Sequence, residues 1–190
     1  RSIYIGSAIA AGIFFVFSYT WVNDRNSFDT TITTGDNNNI KDSLLEALKY
    51  PQVWLSGAYG FFLFSVITAF TSLWSIPLLE HVYHFTLKKS ASMNAMVFIG
   101  IALGAPINGW LSTVFNRRKP IMLFGALLTG LVLSYIIFYP HLSDWQLSFS
   151  LFFTGFFCST YIQSFAFSKD HSPPRSHGAT LAITNMPFMI

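Results

Sequence analysis

Charged residues are missing from long parts of this chain, and that constrains its fold more than any other feature. Five apolar stretches, at 2–22, 52–79, 91–115, 120–139 and 145–168, contain no Asp, Glu, Lys or Arg, and a sixth opens at 178–190. A helix that crosses the hydrocarbon core of a bilayer needs about 20 predominantly apolar residues, so each of the five reads as a membrane span. The runs are continuous rather than alternating, and in lipid the backbone must satisfy its own hydrogen bonds, which selects helices over barrel strands. The expected fold is therefore an all-α membrane protein, a polytopic helical bundle. The chain opens on Arg1 without an initiator Met, and the sixth stretch has only thirteen residues, so both ends are expected to be cuts within a longer protein.

Composition narrows the function classes. The chain is 52% hydrophobic and 10% charged, where soluble domains carry roughly a quarter charged residues. Disordered, collagen-like, disulfide-scaffold and nucleic-acid-binding readings are excluded together, and the formal net charge of +3 concerns membrane orientation. The single cysteine, Cys158, lies in an apolar run and reads as a packed thiol. Orientation follows from the connections. Arg25, Lys41, Lys49, Arg117, Arg118, Lys119, Lys169 and Arg175 fall on one side, and only Arg1, Lys88 and Lys89 fall on the other. The positive-inside rule makes the first side cytoplasmic. Tyr19, Trp21, Tyr50, Trp54, Tyr83, Trp110, Tyr139 and Trp145 sit at the expected span ends, where aromatic rings anchor at headgroup level.

The connections differ in kind. Residues 23–42 are polar and turn-rich, with Thr30, Thr31, Thr33, Thr34, Gly35 and three asparagines from Asn37, and read as a flexible linker. Residues 43–50 place Leu44, Leu45 and Leu48 beside Glu46 and Lys49, the pattern of a short amphipathic helix on the inner membrane surface. Between the third and fourth spans the chain reads Gly109-Trp-Leu-Ser-Thr-Val-Phe-Asn-Arg-Arg-Lys-Pro120, a tight basic loop.

That loop resembles the G-x-L-a-D-R-x-G-R-K motif of the major facilitator superfamily. Gly109, Leu111, Arg117 and Arg118 match it, and Asn116 stands where the family has its second glycine. Asn tolerates the left-handed turn better than other non-glycine residues. Thr113 and Val114 replace the acidic residue and the first arginine, so the ionic latch the family builds there is incomplete in this chain. A second segment, Pro173-Pro174-Arg175-Ser-His-Gly178-Ala179 with the later Asn185, is similar to the cytoplasmic loop before helix eleven of bacterial members. The resemblance implies that 1–22 is the last helix of a first lobe, 23–51 a cytoplasmic inter-lobe linker, and 52–190 the second lobe, about helices seven to eleven. It further implies a secondary active transporter, a symporter of the bacterial inner membrane. Its partners would be a small polar solute, the lipid bilayer, the N-terminal lobe of the same protein and a coupling proton or sodium ion.

Solute-binding candidates are the polar side chains within the spans. Ser65, Thr68 and Ser72 are spaced to share one α-helical face, with Tyr59 a turn and a half below. Thr154 and Tyr161 lie within one arc of the fifth span, with Gln163 nearer its end, and Asn108 is an amide of the third. Hydroxyls in membrane helices commonly bond their own backbone or a neighbour, which is the competing structural role for each. Gly100 and Gly104 form a small-residue face continued by Ala105 and Gly109, and Pro106 is expected to kink its helix. No ionisable group lies at mid-span, so ion coupling belongs to other parts of the protein. Glu80, His81 and His84 cluster at an outer helix end, where such residues are ordinarily solvated. No G-x-S-x-G or H-E-x-x-H motif supports an intramembrane enzyme, and no cofactor is expected. A transport-inactive receptor or scaffold retaining the fold is the other alternative.

Overall fold

The computed structural model describes residues 40–139 and 141–189; the first expected span, 2–22, and most of the polar linker lie outside them. Every regular element among the described residues is helical. Helix α1, Ile40–Leu48, precedes α2, Pro51–His81; Pro51 opens α2, where its missing N–H costs nothing. Helix α3 is Leu87–Val114, and it runs unbroken through Pro106. Helix α4 is Arg118–Phe138. Helix α5 covers 144–170 in three pieces: α-helix Asp144–Cys158, a 3-10 turn Ser159–Ile162, and α-helix Gln163–Asp170. Its entry is capped by the Ser143 amide, which donates to Oε1 of Gln146 at 3.1 Å. Helix α6, His177–Asn185, continues as a 3-10 turn Met186–Met189.

Helices α2, α3 and α4 are each long and apolar enough to cross a membrane. Successive helices reverse direction, so the starts of α2, α4 and α6 gather with the ends of α3 and α5 at one end of the bundle. That end holds Arg117, Arg118, Lys119 and Lys169 and is called the basic end below. The outward-facing surface remains strongly apolar: Phe62, Leu73, Trp74, Leu123, Phe124 and Phe138 are each 66–77% exposed. Water would not tolerate such a surface, and lipid does.

The closest packing joins α3 to α5. The buried residues of α3 are Ser90, Asn94, Val97, Gly100, Gly104, Asn108 and Ser112, which recur every three or four residues and form one stripe. Glycines on this stripe and across from it let the two backbones touch. A Cβ on Gly100 would strike the carbonyl oxygen of Phe152, one on Gly104 the carbonyl of Phe156, and one on Gly155 the carbonyl of Val97. The small-residue face expected at Gly100 and Gly104 is thus real, and Gly155 completes it from the partner helix. Gly109 has open space around its Cα, as does Gly178, so neither serves a close helix approach.

Two different interiors share this scaffold. Away from the basic end, Leu79, Val97, Ile136, Leu142, Leu147 and Leu151 form an apolar core drawn from all four long helices and the loop before α5. Toward the basic end the buried side chains are mostly hydroxyls and amides. There α1 docks by Ala47 onto Val53 and Ile183, while Leu44, Leu45 and Leu48 stay exposed on its other side.

The glycine contacts predict an asymmetric response. Gly155→Ala should destabilise the bundle by about 2–3 kcal/mol, the upper part of the range for overpacking a tight interior, whereas Gly109→Ala should fall within about 0.5 kcal/mol of the parent. Denaturation midpoints of the two purified variants in mixed micelles check this; equal midpoints would refute the backbone contact.

Candidate functional site

The middle of the bundle is where helical geometry departs from the α form. Helix α2 switches to π geometry over Val66–Trp74, at the centre of its 31 residues. Wider i to i+5 turns of this kind recur at functional positions. Ser72 follows the local register, its Oγ donating to the carbonyl of Ile67, five residues back, at 3.2 Å. Across from it, α5 tightens into the 3-10 turn Ser159–Ile162, also near mid-length. Both irregularities start beside one buried cluster of Leu63, Ile67 and Cys158; next to it, Sγ of Cys158 donates to the carbonyl of Leu63 at 3.1 Å, and the rings of Tyr161 and Phe64 lie 5.6 Å apart. Phe188 joins them, 5.2 Å from Phe64 and 6.1 Å from Tyr161.

The candidate side chains divide among three situations. Ser65, Thr68 and Ser72 bond carbonyls of their own helix, Ser65 to Phe62 at 2.7 Å and Thr68 to Phe64 at 3.3 Å, and they stay at least partly accessible. Because π geometry begins at Val66, α-helical spacing no longer describes how these three line up. Thr154 is fully buried and bonded to Ser150 of its own helix at 2.8 Å. Tyr161 is half-buried within the aromatic group.

Tyr59, Asn108 and Gln163 belong instead to a polar lattice reaching toward the basic end. Asn108 Nδ2 donates both its protons across the α3–α5 contact, to the Phe156 carbonyl and to Ser159 Oγ, each at 3.0 Å. Gln163 Nε2 returns a bond from α5 to the Asn108 carbonyl at 2.8 Å. The Tyr59 hydroxyl lies 2.8 Å from the Met122 carbonyl of α4 and 3.0 Å from Thr160 Oγ1 of α5. Tyr59 has one proton, best spent on Met122, leaving Thr160 to donate either to Tyr59 or to the Phe157 carbonyl. Ser56 donates to the Ser164 carbonyl, and Ser168 bonds Thr184 at 2.7 Å, which ties in α6. Sequence reasoning passed over Ser56, Ser159, Thr160, Ser164, Ser168, Thr180 and Thr184. The signal was present as four-residue spacing of hydroxyls, at 160, 164 and 168 and again at 180 and 184.

The basic loop turns through Asn116, whose φ is +48°, the left-handed conformation that glycine accepts freely and Asn better than other side chains. Gly109 supplies its carbonyl to the hydroxyls of Ser112 and Thr113. Leu111 is half-buried beside it. Arg117 is exposed, while Arg118 Nε pairs with Asp170 of α5 at 2.6 Å. Both partners of that pair are partly solvated, which limits it to about 0.2–1 kcal/mol. In the second loop, Pro174 and Arg175 form a 3-10 turn, and Gly178, Ala179 and Asn185 lie on α6.

Residues 76–190, more than half of the chain, match the family profile described as Major Facilitator Superfamily. The chain belongs to this superfamily. Comparison with curated proteins returned no match, and comparison with solved structures returned none. Membership in the superfamily makes this an integral membrane protein of a transporter family, built to carry small solutes through a bilayer.

Within that superfamily identity, the turn at Asn116 gives a sharp test. Asn116→Gly should leave stability within a few tenths of a kcal/mol, and Asn116→Val should cost about 1–2 kcal/mol, the penalty for a branched side chain in left-handed backbone. Thermal unfolding of both variants in detergent decides it, and equal losses would remove the conformational explanation.

Proposed function

We propose that this chain contributes the second lobe of a secondary active carrier, which moves a small polar metabolite by alternating access. The supporting observation is that the π segment of α2 and the 3-10 turn of α5 both begin, near mid-length of their helices, beside the cluster of Leu63, Ile67 and Cys158. Transporters of this architecture bind solute near the bilayer midplane at interrupted helices, where backbone groups and side chains face a cavity. In this reading Tyr161 and Phe64 offer an aromatic wall, and Ser65 and Thr68 offer hydroxyls that exchange an intrahelical bond for one to solute. Asn108, Gln163 and Tyr59 hold the helices in register around that point, and Thr154 is buried with its hydroxyl on its own helix. The small solute rather than a fixed charge dominates, because the spans contain no Asp, Glu, Lys or Arg at mid-depth.

The same reading puts the basic end in the cytoplasm, by the eight-to-three bias of basic residues. It assigns 1–22 and 23–51 to the last helix of a first lobe and the inter-lobe linker, in a bacterial inner membrane. Coupling to a proton or sodium ion would be carried by groups of the first lobe. The Arg118–Asp170 pair joins the α3–α4 loop to the end of α5, a contact that rocking of the lobes would load in one state and relieve in the other. A transport-inactive receptor is the second reading, favoured by Thr113 and Val114 in place of the latch charges.

Counterflow of radiolabelled polar and zwitterionic metabolites into proteoliposomes holding the intact protein tests the proposal. At least one solute should accumulate, and Tyr161→Ala should cut its uptake about tenfold or more while the protein still elutes as a single species. Absence of flux for every solute class, with intact fold, would favour the receptor reading.

A further inference from the structure

Two cavities at the basic end share a wall. The first is a groove of about 420 Å³ between α3 and α4, lined by Ile107, Leu111, Phe124 and Leu128 and floored by Phe156 and Phe157 of α5. The second is a wider basin of about 890 Å³ at the helix ends, bordered by Arg117, Arg118, Lys119, Asp170 and His171. Arg117 and Pro120 line both, so the apolar groove opens directly into the basic basin.

The dimensions and charges of this pair fit one kind of occupant. The groove follows α3 from Ile107 to Phe115 and α4 from Pro120 to Leu128, which at 1.5 Å per residue is about 12 Å along each helix. One leaflet of a bilayer core is about 15 Å deep, half of the roughly 30 Å total. The groove therefore runs through most of one leaflet and ends where headgroups lie. A further transmembrane helix, about 10 Å across with side chains, is a poor fit to a cleft of this volume. In the basin, the carboxylate of Asp170 is already engaged by Arg118 at 2.6 Å. No carboxylate among the described residues pairs with Arg117 or Lys119; Lys119 Nζ lies 5.7 Å from the centre of the Phe167 ring, and both cations border the basin.

We propose that this composite site binds a glycerophospholipid with an anionic headgroup. An acyl chain would lie in the α3–α4 groove, and the headgroup phosphate would meet Arg117 and Lys119. Arg117, at the junction, would set the register between chain and headgroup. This site touches the polar lattice at Asn108 but includes none of Phe64, Ser65, Thr68 and Tyr161, the groups proposed to meet solute, and its test does not depend on transport.

The test is native mass spectrometry of the intact purified protein titrated with phosphatidylglycerol or phosphatidylcholine of the same chains. Bound phosphatidylglycerol should exceed phosphatidylcholine at least about fivefold, since each basic residue near the surface is worth about 1 kcal/mol toward an anionic lipid. Lys119→Gln, exposed in the first turn of α4, should lower that preference severalfold, and Arg117→Gln with Lys119→Gln should abolish it. Leu128→Trp, which fills the groove, should reduce adducts of both lipids while leaving the Arg118–Asp170 pair in place. Equal binding of the two lipids, an unchanged preference in the double variant, or unchanged adducts in Leu128→Trp would each overturn the site. So would displacement of phosphatidylglycerol by glycerol phosphate at equal concentration, which would mean a soluble-anion basin with no role for the groove.

Discussion

The backbone contact between α3 and α5 governs the rest of the bundle. Gly100, Gly104 and Gly155 remove the side chains that would otherwise hold the two axes apart, and carbonyls of Val97, Phe152 and Phe156 occupy the vacated space. In a bilayer, helix association gains little from hydrophobicity, because lipid tails are as apolar as leucine. Close van der Waals approach and interhelical hydrogen bonds must supply the difference. Asn108 reaches Phe156 and Ser159 only because Gly104 and Gly100 let α5 come close enough. Gln163 then returns to Asn108, and the polar lattice extends from this seam to α2, α4 and α6.

The division of the interior into an apolar far half and a polar basic half has a mechanical meaning. Dispersion-packed leucines and isoleucines define one arrangement by volume, since interiors are close-packed and resist small changes. Hydroxyls with alternative partners, such as Thr160 between Tyr59 and Phe157, can exchange bonds at little cost. Among the described residues, buried polar atoms without a hydrogen-bond partner occur in both halves: Gln163 Oε1, Ser164 Oγ and Thr180 Oγ1 toward the basic end, and Thr71 Oγ1, Ser75 Oγ, Ser90 Oγ and Asn94 Oδ1 away from it. Such atoms are expensive in a low-dielectric interior, and a shift of helices that gave them partners would be favoured.

The charged groups act at the margins. Lys89 with Asp144, and Arg118 with Asp170, each join a helix end to α5 at 2.6 Å, one at either end of the bundle. They mark the limits of the apolar slab. Thr113, in the place of the family's acidic residue, turns its hydroxyl back to Gly109 and contributes nothing to such pairing.

The sequence by itself determined that the chain is helical and membrane-embedded, because twenty charge-free residues admit no other solution in lipid and too much apolar surface for water. It also pointed to the turn at Asn116, where a residue that tolerates left-handed backbone stands in the place of a glycine of the resembled motif, and to the glycine face at Gly100 and Gly104. It was silent on Gly155, whose role depends on which helix α3 meets, and misjudged Gly109, which shares the residue type but has no facing neighbour. Only tertiary structure decided the π segment of α2 and the 3-10 turn of α5, because those geometries answer to packing across helices rather than to local propensity. It also decided the fate of the candidate polar residues: Asn108 and Gln163 became joints, Ser65 and Thr68 stayed accessible, and Tyr161 joined an aromatic group. A hydroxyl or amide in a membrane helix carries no record of the direction it will face, and that direction is fixed when the helices pack.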